Sequence, residues 1–218
     1  MCPSVLKHPL QRHPASAAPP GIAVAVRRLP ADEPRRPLRL RYEVAGDAAS
    51  LRWPAPLGAA PPAPEDGLWR GTCFEAFLAA PEAAGTGYVE YNFAPSGAWA
   101  CYRFDGYRAG MRPQPCAVPP RIAVFPEAGA TVVEVAAPWP APDPAPYEVP
   151  APTRAMSPGT AGFRPGGPAD APRRVRLGLT AVLQAADGSL SYWALRHPSA
   201  QPDFHNADGF QLEVEVPG

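Results

Sequence analysis

The stretch YVEYNFAPSGAWACYRFD, residues 88–105, decides how this chain folds. Two runs, residues 88–94 and 98–105, alternate in side-chain character around a Pro-Ser-Gly joint. Period two over six or more residues marks a strand, and turn formers at the joint make the pair a hairpin. Reading Ala94-Pro95-Ser96-Gly97 as a four-residue turn sets Phe93 opposite Ala98. Val89, Tyr91 and Phe93 then share a face with Ala98, Ala100, Tyr102 and Phe104, and that apolar face reads as core. The opposite face holds Glu90, Asn92, Trp99, Cys101, Arg103 and Asp105. A flat indole beside hydrogen-bonding groups of both signs is a poor core and a good binding surface. The alternative is a solvated face whose Glu and Arg form ion pairs of little weight.

Outward from this hairpin the chain repeats the pattern. Residues 22–28, 37–44, 50–54, 72–80, 121–125, 131–137, 174–183, 190–197 and 209–216 read as further strands. The run at 37–44 alternates Leu38, Leu40, Tyr42 and Val44 against Arg39, Arg41 and Glu43, a half-buried strand with one wet face. Asp187-Gly188 joins the strands on either side as a type I′ dipeptide. Ten or eleven short strands with frequent turns predict an all-β fold, a two-sheet antiparallel β-sandwich. Residues 1–20 read as a flexible tail. Residues 21–218 read as a single domain with a Pro-rich insertion near 138–173.

Composition narrows the function. The chain has 218 residues, 34 of them Pro and 19 Gly, and only 18% charged. A chain this long buries roughly 70% of its unfolded surface, so it folds without disulfides or metals. Lys plus Arg total 20 and Asp plus Glu total 20, a balance that argues against a nucleic-acid partner. No apolar run approaches the roughly 18 residues of a spanning helix, and none near the start resembles a signal peptide. A cytoplasmic protein with no membrane partner is expected. The four cysteines, Cys2, Cys73, Cys101 and Cys116, form no CxxC pair and read as reduced thiols.

Two further segments carry candidate chemistry. Residues 191–210, SYWALRHPSAQPDFHNADGF, crowd Trp193, Arg196, His197, Asp203 and His205 into a strand end and loop. The set suits a ligand clamp built on Arg196 and Trp193, a metal site on His197, His205 and Asp203, an Asp–His acid–base pair, or a plain structural corner. Residues 68–78, LWRGTCFEAFL, place Trp69 at the mouth of a strand that carries Glu75. Trp69 is either a stacking ring or a cover for the sheet edge. No HExxH, GxSxG, P-loop or GxGxxG pattern is present.

These three blocks resemble the bacterial DOMON-like proteins related to family 9 carbohydrate-binding modules. The resemblance covers residues 38–216 apart from the Pro-rich insertion. It implies a β-sandwich that binds a sugar or, in some relatives, haem. For a sugar, it implies Glu75, Asn92, Trp69, Arg103 and Trp193 as ligand-binding residues, to which the face sorting adds Trp99 and the clamp adds Arg196 and His205. For haem it points to Met111 with His197 or His205. Calcium would have only Asp203 and Asp208. The expectation is a non-enzymatic receptor for a small polar ligand, most simply a carbohydrate, without a resident cofactor. Rivals are a haem module, a glycoside hydrolase using Glu75 or Asp105 with His205, and a protein-binding module.

Overall fold

The computed structural model describes residues 6–55, 63–80, 87–140 and 173–216. Twelve strands run β1 (Lys7–Arg12), β2 (Ala23–Leu29), β3 (Leu38–Ala45), β4 (Cys73–Ala79), β5 (Tyr88–Phe93) and β6 (Trp99–Phe104). Then follow β7 (Arg112–Pro113), β8 (Arg121–Glu127), β9 (Ala130–Ala137), β10 (Arg173–Gln184), β11 (Leu190–Ala194) and β12 (Leu212–Val216). Every pairing between these strands is antiparallel, and no α-helix occurs among the described residues. No helix there is long and apolar enough to cross a membrane.

The strands form one curled sheet that doubles back on itself as two facing layers. The first layer is ordered β1-β2-β3-β9-β8 and the second β7-β6-β5-β4-β10-β11-β1, with β12 beside the first half of β10. The strand β1 belongs to both. Lys7–Leu10 pair with β2, whereas Gln11 and Arg12 pair with β11. Pro9 lies in the half that has β2 alone as partner, where one side of the strand is open. So the expected tail supplies the corner strand of the sandwich. Alternation failed to show it, because Pro9 interrupts the run and Lys7, Gln11 and Arg12 are exposed. The Pro-rich insertion falls mostly at 141–172, outside the described residues.

Parity in the first layer follows the sequence. Leu38, Leu40, Tyr42 and Val44 of β3 point inward beside Val24 and Val26 of β2 and Val133 and Val135 of β9. They meet Phe74, Ala76, Tyr91, Phe93, Leu177, Leu179 and Ala181 of the second layer in one buried cluster. Tyr42 is fully buried, its hydroxyl donating to the Glu75 carbonyl of the facing layer at 2.7 Å. On the wet side Arg41 bonds Glu43, Glu134 and Glu127, and its guanidinium lies over Phe125.

The decisive hairpin is one residue out of the expected register. Ala94 N–H bonds Ala98 C=O at 2.9 Å and Gly97 N–H bonds Ala94 C=O at 2.9 Å, so the loop is three residues, Pro95-Ser96-Gly97. Gly97 takes φ +97°, the left-handed position such a loop requires. Phe93 therefore faces Trp99, not Ala98. A one-residue slip turns every side chain of β6 over. Ala185 and Ser189 close an equivalent three-residue loop, with φ +93° at Gly188 alone, so Asp187-Gly188 is not a type I′ turn. The type I′ geometry occurs instead at Ala128-Gly129, where φ is +36° and +83° between β8 and β9. The expected strand at 50–54 reduces to a short 3₁₀ turn and one bridge, Leu51 to Ala185.

Candidate functional site

The candidate site lies on the outer face of the second layer, away from the core between the sheets. Strand pairing aligns Glu75 with Asn92 and Thr180, and Phe77 with Glu90 and Gly178. In the corrected register Tyr102 lies opposite Glu90, so it joins this face along with Ala100 and Phe104. Val182 and Tyr192 extend it onto β10 and β11. Phe77, Tyr88, Tyr102, Phe104 and Phe210 form a second, smaller apolar cluster there. Residues 195–211 and the 3₁₀ turn at Leu68–Arg70 lie over its rim.

The overlying loop is seated at specific points. A Cβ at Gly178 would come within 2.4 Å of the Phe210 ring, so only glycine lets the loop lie this close to β10. Arg176 donates to the carbonyls of Ala207 and Phe210 at 2.9 and 3.0 Å. Asp203 accepts from Tyr107 at 2.7 Å and from Arg108 at 2.9 Å, tying the loop after β6 to the C-terminal one. Arg108 holds φ +53°, a left-handed conformation uncommon for a side chain of its size.

Between these elements lies a cavity of about 330 Å³. Glu75 and Glu90 form its floor. Its walls are Trp69, Phe104, Val182, Tyr192, Phe204 and His205, and Arg108, Met111 and Pro202 complete the rim. A second hollow of about 290 Å³ adjoins it across Trp69 and Met111 and reaches Arg70 and Tyr102. The Trp69 indole is half-buried and meets Tyr102 edge-on at 6.0 Å.

The floor is electrostatically unusual. Glu75 and Glu90 are 2% and 5% exposed. Glu75 accepts from Thr180 Oγ1 at 3.0 Å and Glu90 from Asn92 Nδ2 at 2.7 Å. Burial, and then the neighbouring Glu90 charge, push the Glu75 carboxyl well above its ordinary range. Burial pushes Glu90 up to about 7, against the Asn92 hydrogen bond and the Arg108 charge. His205 sits edge-on to Phe77 and Phe104 at 5.4 and 5.2 Å. Burial there lowers it to about 4, so it is neutral at pH 7. Its Nδ1 shares a hydrogen bond with the Tyr88 hydroxyl at 2.7 Å, with Glu90 Oε2 at 3.9 Å.

The named residues divide into groups. Trp69, Glu75 and His205 line the cavity, as does Met111. Asn92 is fully buried beneath it and holds Glu90. Trp99 and Trp193, 7% and 5% exposed, belong to the core between the sheets and offer no ring to a ligand. For Trp99 the cause is the register slip. For Trp193, pairing with Ala181 points the indole inward and puts Tyr192 on the outer face. Arg103 lies on the inward parity of β6 and donates to Gln114 at 2.8 Å, and Arg196 is exposed away from the lining. His197 bonds Gln11 C=O at 2.8 Å and stands edge-on to His13 at 4.8 Å, outside the cavity. Asp105, bound to Arg112 at 2.5 Å, is also outside it.

Of the haem candidates, Met111 and His205 line the cavity, and His197 lies outside it, bonded to Gln11. Among the described residues no three of His, Cys, Asp and Glu cluster as metal ligands. Sequence reasoning did not nominate Glu90, Tyr192, Phe204 and Arg108, which also line the cavity. Glu90 was on the expected binding face from the outset, and its parity alone was enough to nominate it.

No family model matches the chain, and no curated protein matches it in sequence. Among solved structures it is similar to a Bacteroides uniformis protein named as a "putative carbohydrate-binding protein". The TM-score is 0.53 at 12% identity, over 97% of this chain and 86% of that one. The likeness is one of fold.

Proposed function

We propose that the cavity on the outer face of the second layer binds a carbohydrate or a sugar-like polar small molecule, without covalent chemistry. One observation carries this reading: two buried carboxylates share the floor of a cavity whose wall is a half-exposed indole. Sugar rings present C–H faces that pack on aromatic planes, and hydroxyls that need strong acceptors once water is stripped away. Trp69 supplies the plane and Glu75 and Glu90 the acceptors. Each carboxyl accepts a bond at one oxygen, Glu75 from Thr180 and Glu90 from Asn92, which fixes its direction. The volume is at the lower end of the roughly 300–1,000 Å³ of small-molecule sites and suits one sugar ring. The adjoining hollow beyond Trp69 gives a second ring or an aglycone somewhere to go. The carbohydrate-binding description of the Bacteroides uniformis protein points the same way. On this reading the chain is a receptor within a DOMON-like sandwich, and its relation to family 9 modules is part of the proposal.

Titration with mono- and disaccharides tests it. Trp fluorescence should change saturably, because Trp69 is the indole at the cavity wall. Trp69→Ala should remove the signal and weaken binding measured by calorimetry by at least about tenfold, whereas Trp193→Phe should leave affinity unchanged. A broad sugar panel with no calorimetric response would overturn the reading.

A further inference from the structure

The floor of the cavity says more about the ligand than that it carries hydroxyls. Glu75 and Glu90 are diagonal neighbours on adjacent strands, since Glu75 pairs with Asn92 and Glu90 with Phe77. Diagonal neighbours on one face are within reach of each other's side chains. Both are buried, and among the described residues no lysine lines the cavity. Among the described lining residues the cationic side chain is Arg108, its guanidinium hydrogen-bonded to Asp203 at 2.9 Å. His205 cannot supply the missing charge, because it stands neutral among Phe77, Tyr88 and Phe104. The other polar groups facing the pair, Thr180, Asn92 and the Cys73 thiol, are neutral.

Two adjacent carboxyls out of water repel each other when both are ionised. They are relieved by a proton or by a cation. The walls suit a cation too: the rings of Trp69, Phe104, Tyr192 and Phe204 line the cavity, and aromatic rings attract positive charge over their faces. A neutral hydroxyl exchanges hydrogen bonds with such a floor but brings it no charge. An ammonium group supplies three donors and the countercharge together. We infer that the ligand carries a protonated amine on its polar ring, so that the site is one for amino sugars, with the ammonium seated between Glu75 and Glu90. This rests on the sugar reading of the same cavity.

The test is calorimetry on the full chain with D-glucosamine and D-galactosamine, each against its neutral hexose and its N-acetyl derivative. The amines should bind at least about tenfold more tightly than both comparators, and added salt should erode that preference. Glu75→Gln combined with Glu90→Gln should bring amine and hexose to similar affinity. If that variant fails to fold, the wild-type comparison with the uncharged N-acetyl sugars still decides. Hexoses binding as well as or better than amines would overturn the amine assignment and leave the sugar reading intact. Silence from all three classes would overturn both.

Discussion

Cys116 is the residue whose surroundings most clearly set its reactivity. It is half-buried, its Sγ lies 3.4 Å from the Tyr91 hydroxyl, and hydrogen bonding with Cys101 lowers its thiol to about 7. Burial pushes Cys73 and Cys101 the opposite way. The thiolate is the nucleophile, so iodoacetamide at neutral pH should label Cys116 ahead of the other two, with a rate that inflects near pH 7. Peptide mapping reads the order, and faster labelling of Cys73 would contradict it. Ala128 is the second case. It occupies the first position of a type I′ turn at φ +36°, where a Cβ is unfavourable by about 1 kcal/mol. Ala128→Asn restores the preferred Asn-Gly pair and should raise stability by about 0.5–1 kcal/mol. Thermal unfolding should show a gain of roughly 1–4 °C.

At the scale of elements, what the sequence disclosed depended on whether a loop length entered the argument. The parity of β3 and β5 rests on alternation within each strand, and their core-facing sides were legible: Tyr42 and Tyr91 point into the core. The parity of β6 was transferred from β5 through a turn, and counting four loop residues where there are three inverted it. Composition could not correct the error, because both faces of β6 are buried, one against the facing sheet and one beneath the C-terminal loop. Trp99 and Tyr102 both read as apolar rings, and only the loop geometry tells which is which. Glu75 survived because its place on β4 needed no turn. The loop over the cavity depends on the absence of a side chain at 178. Gly178→Ala should lift Phe210 off β10, lowering stability by about 1–3 kcal/mol by overpacking and weakening ligand binding as the wall with His205 and Phe204 shifts. Unchanged unfolding and affinity in that variant would show that the loop is not seated there.

For the whole molecule, the cavity floor and wall leave a mark on stability against pH. Glu90 holds its proton up to about 7 when folded, above its ordinary 4.5. The stability this contributes is full below about pH 4.5 and is lost as pH rises through 7, up to about 3 kcal/mol. Glu75, raised as well, acts with the same sign. His205 is opposite: lowered from 6.5 to about 4, it contributes stability above pH 6.5 that is lost as pH falls toward 4. The two slopes oppose each other between about 4.5 and 6.5, and above that window only the glutamate slope remains. The melting temperature should therefore fall between pH 6.5 and 8, and Glu90→Gln should flatten that fall. A wild-type curve rising through the same interval would contradict the protonation assigned to the floor.

The double allegiance of β1 also bears on how the chain is made. A ribosome releases residues 7–12 ahead of the other strands, and Lys7–Leu10 can join β2 while synthesis continues. Gln11 and Arg12 must wait for Trp193 and Ala194. Until then the growing polypeptide keeps an unsatisfied strand edge, the kind of surface that invites association with other nascent chains. Closure of this corner waits until Trp193 and Ala194 are made, and a stall before residue 190 leaves it open.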